Sequence, residues 1–197
     1  MLRFIPADAV DILEVGCGNG AFASLLKETR TVRVTGIEPF DTAASSAREH
    51  MDVVIHASAE EGMRMLDGKS FDCIVFNDVL EHIADPASVL TAARSLLRST
   101  GHIVASIPNV RYMPVLRDLL LRGEWTYADE GVLDRTHLRF FTAKSMRDMF
   151  VSCGYRVRVV EGINSLPINW KYRALNVLFR NSLDDIRHQQ MAVVATS

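Results

Sequence analysis

Three closely spaced glycines follow an apolar run near the start of the chain. Gly16, Gly18 and Gly20 come directly after the run at residues 11–15, and a helical pattern begins at Ala21. Because glycine lacks a Cβ atom, its backbone adopts positive φ angles and lets a ligand lie directly against the chain. The unpaired N–H groups of the following helix point at the same place. The sequence therefore predicts a strand, a tight turn and a helix that together bind a ligand.

Two acidic residues accompany this turn. Glu14 lies inside the first apolar run, and Glu38 closes the next one, at residues 32–37. A carboxylate at the end of the second strand of such a unit is placed to accept hydrogen bonds from both hydroxyls of a ribose. The glycine spacing is G-x-G-x-G, which differs from the G-x-G-x-x-G of dinucleotide-binding folds. This spacing disfavours a nicotinamide cofactor.

Strand and helix patterns alternate regularly along the first half of the chain. Residues 52–55 form a short apolar run of the kind found in strands buried on both faces, whereas residues 21–29 and 43–50 have helical spacing. A further helix is expected between the cap Asp85 and Gly101. The alternation predicts a doubly wound α/β sheet with right-handed crossovers. Beyond it, the patterns predict helices at 142–150 and 168–180 and strands at 155–160 and 191–195.

These motifs resemble those of the class I S-adenosylmethionine-dependent methyltransferases. Residues 13–20 look like the first motif of that family, residues 36–39 like its ribose motif and residues 71–82 like its fourth-strand motif. The resemblance runs from about residue 10 to residue 108. It implies a Rossmann-like sheet of seven strands in the order 3-2-1-4-5-7-6, mostly parallel with one antiparallel strand near the edge. It also implies S-adenosylmethionine as cofactor and S-adenosylhomocysteine as product.

The resemblance assigns the parts of the cofactor to particular residues. Glu38 is expected on the ribose, and Asn77 at the methionine end. Ser58 stands where the family commonly has an acid that recognises the adenine, so the backbone of Ala59 is the expected contact. The cofactor-binding residues predicted in this way are Glu14, Gly16, Cys17, Gly18, Gly20, Glu38, Pro39, Ser58, Ala59, Asn77, Asp78 and Val79.

The regular alternation breaks between residues 109 and 142. A helix is expected at 111–122, ended by Gly123, and a polar loop with Trp125 and Tyr127 follows it. Insertions of this length are usually lids or binding loops, so we assign acceptor recognition to this one. Segments that resemble residues 134–142 occur in methyltransferases of bacterial polysaccharide and sugar-nucleotide pathways. This resemblance favours a hydroxyl of a sugar or sugar nucleotide as the acceptor.

Two histidines are candidates for catalysis. Methyl transfer from a sulfonium is an in-line displacement, so the protein aligns the acceptor and, for a hydroxyl, removes its proton. Histidine suits this task because its pKa lies near neutral pH. His137, which follows Asp134 and Arg135 in the insertion, is the first choice, and His82 is the second. In the alternative interpretation, His137 and its neighbours only tie the insertion to the domain. Glu81 is expected to be a solvated or capping acid.

Composition limits the other functions that the chain can have. Its 197 residues, 48% of them apolar, suit a single methyltransferase domain spanning residues 1–197. A formal net charge of −2 gives no electrostatic reason to expect a nucleic acid or an anionic membrane as partner. The three cysteines are widely spaced, so we expect buried free thiols, no disulfide and no metal site. No apolar run reaches the ~20 residues of a membrane span, and no signal peptide is evident. We therefore expect a cytoplasmic protein with a small-molecule acceptor.

Residues 1–10 are too few to form the helical layer that usually covers the cofactor in the resembling family. We expect this side to be open until ligands bind, with the insertion at 109–142 as a mobile lid. Pairing into a homodimer is an alternative way to close it. Two other functional classes stay open. One is a catalytically silent S-adenosylmethionine-binding partner subunit, and the other is a nicotinamide-dependent oxidoreductase, which the absence of a Tyr-x-x-x-Lys pair further disfavours.

Overall fold

Strands and helices alternate along the chain in the computed structural model, which describes residues 1–167 and 176–197. The strands are β1 Asp11–Val15, β2 Arg33–Glu38, β3 Val53–His56, β4 Phe71–Asn77, β5 Leu97–Pro108, β6 Arg156–Ser165 and β7 His188–Thr196. The helices are α1 Ala21–Thr29, α2 Asp41–Ala47, α3 Ala59–Met65, α4 Pro86–Ser95, α5 Met113–Arg122 and α6 Ala143–Ser152. Most of the helix predicted at 168–180 lies outside the described residues.

The seven strands form one sheet in the order β3-β2-β1-β4-β5-β7-β6. Strand β7 runs antiparallel to both of its neighbours, β5 and β6, while the pairs from β3 to β5 are parallel. This confirms the predicted order and the single antiparallel strand. At the centre, Val15 at the end of β1 pairs with Ile37 of β2 and Phe76 of β4. The carboxyl ends of these three strands therefore meet at one edge, where open α/β sheets bind ligands.

Apolar side chains on both faces of the sheet form the core. Leu13 of β1 belongs to a buried cluster that includes residues of α4 and α6. Its neighbour Ile12 belongs to a second cluster, which includes residues of α1 and α2. Because successive side chains of a strand point to opposite faces, the helices cover both sides of β1. The sequence predicts burial on both faces for the strand at residues 52–55, and this prediction is wrong, because β3 lies at the edge of the sheet and none of its residues is buried.

Two elements differ from the sequence prediction. Helix α4 begins after Asp85, whose side chain accepts a hydrogen bond from the Ser88 N–H as expected, but it ends at Ser95 and not at Gly101. Strand β5 begins only two residues later, because Leu97 pairs with the first residue of β4. Helix α3 is the second difference, since the sequence predicts no helix there. The hydroxyl of Ser58 caps it by accepting a hydrogen bond from the Glu61 N–H.

The insertion at residues 109–142 contains one helix, α5, and an irregular segment. Gly123 ends α5 in the left-handed conformation, with a φ of 69°, as the sequence predicts. The described side chains of α5 are all at least partly exposed, and Leu120 and Leu121 are 76% and 79% exposed. The segment that follows returns to the sheet, where the Val110 N–H donates to the carbonyl of Phe141. The insertion thus leaves and rejoins the domain at adjacent points.

The described cysteines, Cys17, Cys73 and Cys153, are buried free thiols, as the sequence predicts. Burial raises the pKa of Cys17 and of Cys73 to about 12, so both thiols stay protonated at neutral pH. Among the described residues, we find no helix with the length and apolar character that crossing a bilayer requires.

The hydroxyl of Tyr155 donates a hydrogen bond of 2.8 Å to the carbonyl of Leu90 in α4, inside the core. We expect Tyr155→Phe to lower the free energy of unfolding by about 1 kcal/mol, because the buried hydrogen bond is lost while the ring still fills its place. Urea unfolding measures this change. The control is Tyr127→Phe, whose half-exposed ring predicts a change of less than ~0.5 kcal/mol. Equal effects of the two substitutions would contradict the prediction.

Candidate active site

The glycine turn after β1 has the backbone conformation that the sequence predicts. The φ angles of Gly16, Gly18 and Gly20 are 69°, 54° and 82°, in the region that favours glycine. A Cβ atom on Gly16 would lie 2.5 Å from Cγ2 of Val79, so this position also requires glycine sterically. A Cβ atom on Gly18 would have no heavy atom within 4 Å. Gly18 therefore faces open space.

A cavity of about 810 Å³ opens beside this turn at the carboxyl edge of the sheet. Eight of the predicted cofactor-binding residues line it, namely Gly16, Gly18, Glu38, Pro39, Ser58, Ala59, Asp78 and Val79. Its lining also includes residues that the sequence prediction missed, namely Phe40, Ala43, Ile83, Ala84, Thr136 and Leu138. An apolar wall with a few polar groups is typical of sites for small molecules and cofactors. We call this space the large cavity.

The remaining four predicted cofactor residues do not line the large cavity. Gly20 caps the start of α1, and Cys17 is buried within the turn. Asn77 lines a neighbouring cavity of about 450 Å³, and its Nδ2 donates to Oε1 of Glu14 at 3.4 Å. Glu14 is only 2% exposed. The large cavity therefore ends short of these four residues.

Glu38 connects the turn to strand β2. Its Oε2 accepts a hydrogen bond of 2.8 Å from the Gly18 N–H, and its Oε1 accepts one of 3.1 Å from the Phe40 N–H. The carbonyl of Ile37 adds two more bonds, because it accepts from both Gly16 and Cys17. Each carboxylate oxygen accepts more than one hydrogen bond. Glu38 is therefore able to hold the turn and a ligand hydroxyl at the same time.

Asp78 lies where three cavities meet. It lines the large cavity, the cavity of about 450 Å³ and a third cavity of about 190 Å³, which we call the small cavity. Its φ of 54° is uncommon for a residue with a side chain. Its Oδ1 accepts hydrogen bonds from Gln190 at 2.7 Å and from Ser106 at 3.1 Å. Burial raises its pKa.

The two predicted catalytic histidines meet in the small cavity. The ring centroids of His82 and His137 are 4.7 Å apart, with 71° between the ring planes. Nδ1 of His137 lies 3.0 Å from the carbonyl of Val132. Because a carbonyl only accepts, Nδ1 carries the proton and Nε2 keeps its lone pair when the ring is neutral. Of the two histidines, only His82 also lines the large cavity.

Thr136 and Asp134 orient His82. The Nδ1 atom of His82 lies 3.3 Å from the carbonyl and 3.1 Å from the hydroxyl of Thr136. That hydroxyl donates to Oδ1 of Asp134 at 2.6 Å, so its oxygen is free to accept from His82. The sequence suggests instead that a carboxylate such as Asp134 orients His137. In the structure this carboxylate acts on the other histidine, through Thr136.

Glu81 is buried, so the prediction of a solvated or capping acid is wrong. The residue is 1% exposed, and burial raises its pKa to about 8. Neither carboxyl oxygen has a hydrogen-bond partner among the described residues, and Nε2 of His137 lies 4.0 Å from Oε1. The burial results from the insertion, because the N–H groups of Leu138 and Arg139 donate to the carbonyl of Glu81. The residues next to Glu81 in the sequence give no sign of this contact.

Burial also raises the pKa of Glu14, to about 8, and the bond from Asn77 opposes this shift only in part. The unfolded chain ionises Glu14 near 4.5. Between these two values the folded state holds the additional proton, so the free energy of unfolding falls as the pH rises. We expect this fall to be smaller in Glu14→Gln, as measured by urea unfolding at several pH values between about 5 and 8. Glu49→Gln, at an exposed position, should behave like the wild type. Parallel curves for wild type and Glu14→Gln would show that Glu14 ionises at an ordinary pH.

Comparison with known proteins identifies the family of this chain. The family described as "Methyltransferase domain" matches residues 2–160. The "Ubiquinone biosynthesis O-methyltransferase" of Hydrogenovibrio crunogenus is 28% identical, over 97% of this chain and 80% of that protein. Among solved structures, a SAM-dependent methyltransferase from Archaeoglobus fulgidus superimposes with a TM-score of 0.71 at 17% identity, over all of this chain and 89% of that one.

A further structural neighbour is the plantazolicin methyltransferase BamL, which was solved in complex with S-adenosylhomocysteine. Its TM-score is 0.67 at 17% identity, over 96% of this chain and 77% of that one. At this identity the likeness shows the fold, whereas the family match covers most of the sequence. The chain therefore belongs to the methyltransferase domain family and is a class I S-adenosylmethionine-dependent methyltransferase.

Proposed function

We propose that this enzyme methylates a hydroxyl group of a small molecule, with S-adenosylmethionine in the large cavity and the acceptor at the small cavity. The observation that carries the proposal is the position of His82, which lines both cavities. An acceptor oxygen beside this residue lies next to the space in which the methyl group of the cofactor is expected. The residues of the insertion that line the small cavity agree with an acceptor-binding role for residues 109–142.

In this proposal, the cofactor extends along the carboxyl edge of the sheet. Gly18 leaves room for it, and Glu38 accepts hydrogen bonds from the ribose hydroxyls. The adenine lies by the start of α3, where the Ala59 N–H has no partner within the helix because it belongs to the first turn. The hydroxyl of Ser58 already caps that helix, which favours the backbone contact. The methionine end then lies towards Asp78.

The transfer itself is a displacement at the methyl carbon. The acceptor oxygen forms a bond to that carbon, the carbon–sulfur bond breaks, and its electron pair remains on sulfur to give S-adenosylhomocysteine. The hydroxyl proton must leave the acceptor during this step. We place His82 and His137 at this point of the reaction, because their rings are the basic groups next to the acceptor space. Orientation of the two reactants supplies the rest of the rate enhancement.

For the acceptor, we propose a hydroxyl of a sugar or sugar nucleotide, on the resemblance of residues 134–142. The printed name of the relatives favours a second class, intermediates of ubiquinone biosynthesis. Formation of S-adenosylhomocysteine with sugar nucleotides and with ubiquinone intermediates separates the two. Methylation of the ubiquinone intermediates alone would exclude the sugar acceptor and keep O-methyl transfer. Methylation of amines alone would contradict the proposed function.

The assignment of the ribose to Glu38 predicts a specific loss of affinity. Glu38→Ala removes charge-assisted hydrogen bonds worth roughly 1.5 to 3 kcal/mol each, so S-adenosylhomocysteine should bind at least about tenfold more weakly. Isothermal titration measures this affinity. Thermal unfolding of the same sample tests the fold, because Glu38 also holds Gly18 and Phe40. The control Glu49→Ala changes an exposed acid elsewhere. A folded Glu38→Ala protein with unchanged affinity would contradict the assignment.

The placement of His137 at the acceptor predicts a loss of turnover. We expect His137→Ala to reduce turnover by about 10² to 10⁴, which is the typical contribution of proton transfer, while the affinity for S-adenosylhomocysteine stays unchanged. His50→Ala, at an exposed position, is the matched control. Turnover close to that of the wild type in a folded His137→Ala protein would show that the residue is structural.

A further inference from the structure

We propose that Glu81, His82 and His137 bind a divalent transition-metal ion between the large and the small cavity. One ligand atom from each residue lies within 4.8 Å of those of the other two. The spacing of the cysteines predicts no metal site, but this prediction does not concern sites formed by histidines and carboxylates. The ion would bind whether or not an acceptor is present, so only the catalytic role of the ion rests on the proposed function.

The carboxyl group of Glu81 is the first line of support. It is 1% exposed, and both of its oxygens lack a hydrogen-bond partner among the described residues. A buried polar group without a partner is costly, and such groups are uncommon in folded proteins. A protonated Glu81 would not be satisfied either, because Nε2 of His137 lies 4.0 Å from its Oε1, which is too far for a hydrogen bond. A cation in the small cavity would satisfy the carboxylate.

The hydrogen bonds of the two histidines are the second line of support. A histidine that binds a metal usually donates its other N–H group to a carbonyl or a carboxylate. The Nδ1 atom of His137 is hydrogen-bonded to the carbonyl of Val132, and Nδ1 of His82 faces the carbonyl of Thr136. In their neutral form both rings thereby carry the proton on Nδ1, which leaves the lone pair of Nε2 for a metal ion. Asp134 strengthens the arrangement, since it accepts from the N–H and the hydroxyl of Thr136.

The distances fit an ion with a small adjustment. Nε2 of His137 lies 4.0 Å from Oε1 of Glu81, which is too far for a hydrogen bond. An ion with bonds of about 2.0 to 2.2 Å would hold two neighbouring ligand atoms roughly 3 to 3.5 Å apart. The three ligand atoms lie up to 4.8 Å apart, so the side chains would have to close by up to about 1 to 2 Å, which rotation of the carboxyl group and of the exposed His82 ring can supply.

The donor set indicates the class of ion. Two imidazoles and one carboxylate are the ligands of catalytic zinc sites and of the mononuclear iron sites with two histidines. Magnesium and calcium prefer oxygen ligands, so they fit this set less well. Three protein ligands leave at least one coordination position open. That position faces the acceptor space, because all three residues line the small cavity.

A bound ion would lower the pKa of an acceptor hydroxyl and so supply the deprotonation that methyl transfer to oxygen requires. His137 would then serve as a ligand, and the loss of turnover expected for His137→Ala would result from loss of the ion and not from loss of a general base. His82 brings the ion next to the cofactor, because it borders the large cavity as well.

Titration with Zn²⁺ and Co²⁺ tests the site directly. Protein stripped with a chelator should bind about one Zn²⁺ per chain in competition with a chromophoric chelator, and Co²⁺ should give a visible absorption band. Glu81→Ala, His82→Ala and His137→Ala should each weaken Zn²⁺ binding by at least about 10- to 100-fold, since even the outer partners of metal ligands have effects of this size. His50→Ala should bind as the wild type does. His82 is exposed, so its replacement leaves the fold testable even if the buried variants unfold.

Several results would overturn the proposal. These are Zn²⁺ binding by the wild type that is weaker than millimolar, binding of Mg²⁺ alone, or unchanged Zn²⁺ affinity in His82→Ala. Full methyl transfer by the stripped protein would overturn the catalytic task of the ion. Titration with S-adenosylhomocysteine and the methyl-transfer assay are run on the same samples. They separate failure of the metal site from failure of the proposed function. Metal binding without methylation of any hydroxyl would contradict the proposed function alone.

Discussion

The hydrogen bonds of the Glu38 carboxylate hold the ligand-binding edge of the sheet in shape. The glycine turn leaves β1 with positive φ angles, and its N–H groups point away from the regular ladder, so they need acceptors from β2. The carbonyl of Ile37 takes two of them and Glu38 takes that of Gly18. The same carboxylate then anchors Phe40, which begins the wall of the large cavity. The side chain expected to bind the ribose is therefore also the one that builds its surroundings.

Three carboxyl groups lie close to the carboxyl edge of the sheet. Burial raises the pKa of Glu14, Asp78 and Glu81. For Glu14 and Glu81 the pKa reaches about 8, so these two carboxyls are not fully ionised at neutral pH, and any positive charge that enters the site would favour their ionisation. The sulfonium of the cofactor carries such a charge. These carboxyl groups therefore favour cationic ligands at this edge, although the net charge of the whole chain is only −2.

The resemblance to class I methyltransferases implies the sheet order, and its motifs predict eight of the residues that line the large cavity. Prediction from the sequence fails where contacts between residues that are distant in the chain determine the structure. Helix α3 contains Gly62, which weakens a helical pattern, yet a Cβ atom there would come within 2.6 Å of the Ile37 side chain. Pairing of Leu97 with Phe71 ends α4 early, against the helix-stop signal of Gly101. Glu81 is contacted by a segment that is far away in sequence, because the N–H group of Leu138 donates a hydrogen bond to the Glu81 carbonyl.

The position of β7 in the sheet affects how the protein is made. Strand β7 follows β6 in the chain but separates β5 from β6, with antiparallel partners on both sides. During synthesis, β5 therefore has an unpaired edge until residues 188–196 leave the ribosome, and β6 has no sheet to join before then. Exposed strand edges pair readily with other chains. The same strand order that completes the sheet thus leaves the edge of β5 open to pairing with other chains until β7 has been synthesised.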